Sequence, residues 1–134
     1  MIGLDTNVIV RFLTADDEAQ FAAATELLDA NDTFVPLTVT LEVEWVLRSR
    51  YKLGTKEVIA AYEGLLGLPR MTFEHRDRVA TALGLAAAGF EFADALHASS
   101  SGHCSSFATF DVRFATTAER HGLRLVSRLE PSPS

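Results

Sequence analysis

Cysteine is almost absent from this chain. Cys104 is its single thiol in 134 residues, which excludes an intrachain disulfide, and with only His103 beside it no Cys/His zinc pattern can be assembled. One unpaired thiol suits a reducing cytoplasm. Long apolar runs are missing as well: none approaches the roughly 18 residues a membrane helix needs, and no basic segment leads into an apolar one at the N-terminus. A soluble, unexported, cytoplasmic protein with no membrane partner is therefore expected. Positive charge is in deficit, with 12 Lys and Arg against 18 Asp and Glu and a net charge of −6. That balance argues against holding nucleic acid by counterion release alone, although acids gathered around a cation would be neutralised by it. Glycine is missing from "DTNVIV", where a dinucleotide-binding turn would require it.

What is present is a chain of one domain's length with 48% hydrophobic residues. Short apolar or β-branched runs alternate with helical patterns. "MIGL", "TFVP", "MTFE", "SSFATF" and "LRLVSRL" read as strands. The segments "NVIVRFLT", "DDEAQFAAATELLDA", "TVTLEVEWVLRSRY", "GTKEVIAAYEGLLG", "DRVATALGLAAAG", "EFADALHASS" and "VRFATTAERHG" read as helices, the third with Thr38 as its cap. This alternation predicts an α/β fold, a central parallel sheet of four to five strands, buried on both sides, with helices on both faces. Residues 1–129 are expected to form a single domain, and the polar, Pro-rich residues 130–134 a disordered tail. No internal repeat or linker interrupts the pattern.

In such folds ligands bind beyond the carboxyl ends of the strands. Asp5 and Asp111 each follow an apolar strand directly, which predicts that they emerge at one sheet edge if their strands are parallel neighbours. Each could equally cap the helix that follows, but three capping residues in a row, Asp5, Thr6 and Asn7, exceed what one helix end uses. On the third helix Val39, Val43, Val46 and Leu47 form an apolar arc with Glu42 at its edge. Glu44 falls on the flank of Arg48, four residues on, where a solvated ion pair accounts for it. Asp94 stands in the first turn of "EFADALHASS", where a negative charge favours the helix dipole. It shares a side with Ala98 and Ser101, whose small side chains would leave space for an ion. Four acids brought together repel unless a cation holds them, and an all-oxygen donor set favours Mg2+ or Mn2+. Water activation and phosphate stabilisation are the chemistry that such a site performs. Arg48, Arg50 and Lys52, then Arg70, Arg76 and Arg78, then Arg120, Arg124 and Arg128 form local basic groups that read as solvated faces or as phosphate contacts.

Four stretches, "LDTNVIVRFL", "VTLEVEWVLRSRYKLG", "FADALHAS" and "FATFDVRFA", resemble in order and spacing the PIN domain, and within it the VapC-like ribonuclease toxins of type II toxin-antitoxin pairs. The resemblance runs to about Leu129. It implies a Rossmann-like sheet and a Mg2+- or Mn2+-dependent endoribonuclease with catalytic Asp5, Glu42, Asp94 and Asp111. Asp5 and Asp94 would bind the metal, with Thr6, Asn7 and Thr109 in support. Many relatives carry a further acid or amide at the position of Arg113. The resemblance also implies an RNA substrate, a small cognate antitoxin that inserts an Arg into the acidic site, and a homodimer or hetero-oligomer with the antitoxin. Trp45, Tyr51 and Tyr62 could line a groove for a partner helix, or be ordinary core. Two rivals stand beside this reading: another Mg2+-dependent phosphohydrolase, and a catalytically inactive RNA- or protein-binding module. An aspartyl-phosphate enzyme is disfavoured because Asn7 stands where its second Asp would.

Overall fold

The computed structural model describes residues 1–133. Its contacts divide the chain into two compact units, Met1–Arg76 and Asp77–Ser134.

The first unit begins with strand β1 (Ile2–Gly3), followed by helices α1 (Thr6–Thr14) and α2 (Glu18–Ala30), strand β2 (Thr33–Val35), helices α3 (Leu37–Ser49) and α4 (Thr55–Leu66), and strand β3 (Met71–Phe73). The strands hydrogen-bond in parallel in the order β1-β2-β3. Beyond the β1 pairing, Leu4 N still donates to Phe34 O at 2.9 Å, and beyond β3 Glu74 N donates to Val35 O at 2.9 Å. Asp5 therefore follows directly on the last ladder bond of its strand, and Glu74 makes the last bond of its own. Burial on both sheet faces does not hold throughout: Thr33, Val35, Met71 and Phe73 are buried, but Ile2 and Gly3 are exposed.

Helix α3 departs from expectation in two ways. It starts at Leu37 with Pro36 in the capping position, so Thr38 is not its cap. Proline offers no side-chain acceptor, and the first turn is satisfied from afar: Leu37 N donates to Glu74 Oε1 at 2.7 Å. Its buried stripe is Thr40, Val43, Glu44 and Leu47, while Val39 and Val46 are half-buried. Apolar residues on two sides of this helix leave its rotation open in sequence, and packing selects the face that carries Thr40 and Glu44. Glu44 is 4% exposed, so the expectation of a solvated ion pair is corrected. Arg48 does pair with it, through Nε to Oε2 at 2.6 Å and Nη2 to Oε1 at 3.1 Å, which permits a carboxylate at a core position. Tyr62 of α4 is also buried and donates its hydroxyl to Thr40 O. Burial first, and the Glu44 charge second, push its phenol well above the ordinary range.

The second unit contains most of α5 (Arg76–Ala87), then α6 (Phe92–Ser99), strand β4 (Phe107–Thr109), α7 (Val112–Arg120) and strand β5 (Val126–Arg128). Strands β4 and β5 pair in parallel, Phe107 opposite Val126 and Thr109 opposite Arg128. A single sheet of four to five strands was expected; among the described residues there are five strands, hydrogen-bonded as a set of three and a set of two, each parallel within itself. Gly89, at φ +110, makes the turn from α5 that a side chain would resist. The turn delivers Phe90 into the core, where its ring meets Phe114 edge-on at 6.0 Å. Among the described residues no helix is long and apolar enough to cross a membrane.

Candidate functional site

In the first unit the site begins where β1 ends. Asp5 is the N-cap of α1, its Oδ1 accepting from Thr6 N at 2.8 Å. Its Oδ2 meets no donor among the described residues, and the side chain is exposed. Capping and a functional role are therefore compatible in one carboxylate. Thr6 itself is 5% exposed and turns its hydroxyl to Glu42 Oε1, tying the start of α1 to the middle of α3. Glu42 is exposed, which corrects the expectation that it borders the core. Asn7 is exposed and lines a cleft of about 510 Å³ between α1 and α2 with Arg11 and Gln20; among the described residues its amide touches no carboxylate. Glu74, absent from the sequence-derived set, follows β3 as Asp5 follows β1. That shared placement was the available signal, and its carboxylate orients the helix that bears Glu42.

In the second unit Asp111 is the N-cap of α7, its Oδ1 accepting from Phe114 N at 3.0 Å. Thr109 supports it through the backbone, with Oγ1 accepting from Asp111 N at 3.0 Å. Asp94 lies in the first turn of α6, as expected. Together with Glu91, Asp111 and Arg113 it lines a pocket of about 40 Å³. The space beside Asp94 does not come from Ala98, which is buried at 2% exposure, or from Ser101, whose hydroxyl bonds to His97 O. Partial burial raises the Asp94 pKa above its ordinary value, the charges of Glu91 and Asp111 raise it further, and His97 opposes them. Crowding of this kind is relieved by a cation.

The donor chemistry of both units fits a hard divalent ion. Every candidate acid offers carboxylate oxygen, with an undonated Oδ2 at Asp5 and a crowded carboxylate at Asp94. Each unit supplies a pair of candidate acids, and among the described residues no group of three or more His, Cys, Asp or Glu is gathered to hold a metal.

Parallel α/β elements with acids at strand ends and helix starts place a candidate ligand site at the carboxyl ends of the strands. The sequence profile of the PIN domain matches residues 2–128, and the chain belongs to that family, whose members are typically metal-dependent nucleases. No curated protein matches the chain.

Proposed function

We propose that this protein is a Mg2+- or Mn2+-dependent endoribonuclease, the toxin of a type II toxin-antitoxin pair, acting as a single PIN domain over residues 1–129. The observation that carries the reading is the Asp94 carboxylate, crowded by Glu91 and Asp111 in a pocket at the start of two helices. Asp5 and Asp94 would hold the ion. When bound, it would supply Lewis-acid stabilisation to the scissile phosphodiester and acidity to a water. Glu42, oriented by the Thr6 hydroxyl, and Asp111, oriented by its capping bond and by Thr109, would bind the ion through water or help orient the attacking water.

A cognate antitoxin presenting an Arg to these carboxylates suits the same chemistry, because the guanidinium fork matches paired oxygens. The three-aromatic groove is not retained. Tyr62 is buried, and Tyr51 donates its hydroxyl to Asp16 Oδ2 at 2.7 Å, which leaves Trp45, at 54% exposure, as the one of these three available to a partner or a second copy. Asp5→Asn and Asp94→Asn should each fold, judged by circular dichroism, and lose at least about a hundredfold in Mn2+-dependent cleavage of single-stranded RNA. Full activity in either variant would refute the assignment. Calorimetry with Mn2+ separates the rival reading, since an inactive binding module would show no Mn2+ affinity that Asp5→Asn removes.

A further inference from the structure

Arg113 stands in a position that folding alone does not favour. It is in the first turn of α7, where the helix dipole opposes a positive charge, and it is exposed. It lines the pocket of Glu91, Asp94 and Asp111, yet among the described residues it makes no ion pair with any of them. The two nearest structural uses for the side chain are thus unfulfilled. Arg120, by contrast, sits in the last turn of the same helix, where its charge complements the dipole. A local rule broken without a structural gain marks a residue kept for another purpose. A guanidinium held beside carboxylates but unpaired remains able to take a different anion, and its fork suits two oxygens of one phosphate.

From these observations we infer that Arg113 is a substrate-binding residue, gripping an RNA backbone phosphate at the mouth of the Asp94–Asp111 pocket. The inference rests on the nuclease reading for the identity of the anion. It gives an acidic protein a positive contact at the place where the substrate must approach three carboxylates.

Fluorescence anisotropy with an end-labelled single-stranded RNA decamer tests the inference, run across a salt series in EDTA and again in Ca2+. Arg113→Ala should weaken binding about tenfold at 50 mM salt and reduce the slope of log K against log salt by about 0.7, the value of one single-strand phosphate contact. Arg113→Lys should keep the wild-type slope with partial affinity, and Arg120→Ala should leave both unchanged. The melting temperature of Arg113→Ala should match or exceed that of wild type, because a charge opposing the dipole is removed. An unchanged slope in Arg113→Ala, an equal loss in Arg120→Ala, a lowered melting temperature, or no RNA binding by wild type in either condition would overturn the inference. Cleavage in Mn2+ reports separately on the nuclease reading. Wild type that cuts RNA while Arg113→Ala binds it normally sinks this contact alone, whereas Arg113-dependent binding with no cleavage sinks the nuclease and supports the contact.

Discussion

Between Met1 and Arg76 twelve acidic residues stand against seven basic ones, yet the candidate-site carboxylates there and the buried Glu44 are met by donors. Asp5 takes the amide of Thr6, Glu42 its hydroxyl, Glu44 the Arg48 guanidinium and Glu74 the amide of Leu37. From Asp77 onward the balance is nearly even, six acids to five bases, but Asp94 faces Glu91 and Asp111 instead of a donor. Net charge is thus a poor guide to where carboxylates are strained. The nearest partner decides: a donor within hydrogen-bond reach stabilises an acid in a strongly negative unit, and another acid destabilises it in a nearly neutral one.

Removing Arg48 should break the first half of this contrast most severely. Arg48→Ala leaves Glu44 without its guanidinium partner in the core and should cost about 2 kcal/mol, below the roughly 3 to 5 kcal/mol of a fully buried pair because Arg48 is itself half-exposed. A fall in melting temperature of about 5 °C would register it, and Glu44→Leu in the same background should recover most of the loss. An unchanged melting temperature would show that the buried carboxylate has another partner. Thr6→Val tests the donor that orients Glu42. The fold should persist, and RNA cleavage should fall by about tenfold, the usual cost of losing a group that orients a site carboxylate. Wild-type turnover would separate the hydroxyl from function.

The second unit should respond in the opposite direction. Its folded-state Asp94 pKa is raised above 3.8, so the folded chain keeps a proton that the unfolded chain releases, and stability declines as pH rises through that window. Asp94→Asn, in EDTA at pH 7, should therefore raise the melting temperature by a degree or two, roughly, while abolishing cleavage. A lowered melting temperature would mean that the Asp94 charge is satisfied. The smallest effect is expected at Asp16, an exposed group whose pKa is lowered to about 2 by the Tyr51 hydroxyl first, then by Arg11 and Thr14. A depressed carboxylate contributes stability above its unfolded value near 3.8 and loses it as pH falls toward 2. Thermal melts of wild type and Asp16→Asn should therefore converge across that interval; a constant gap would argue against the ionised contact.

Much of this protein follows from interactions between near neighbours. Among the described residues seven helices and five strands appear in the order that hydrophobic periodicity indicates, because each periodic face is a local property of the chain. Asp5 and Asp111 cap the helices that follow them through bonds spanning one and three residues, and such short-range chemistry is readable from spacing alone. The tertiary structure decided the rest. Helix α3 could bury either of two apolar edges, and only its packing chose the one that takes Glu44 inward and leaves Glu42 outside. The Thr6–Glu42 and Leu37–Glu74 bonds join residues 36 and 37 positions apart, and the pocket that sets Asp94 against Asp111 joins the starts of two helices. Periodicity assigns a residue to a face. Which face turns inward, and which distant group then meets it, depends on the burial and pairing of the whole chain.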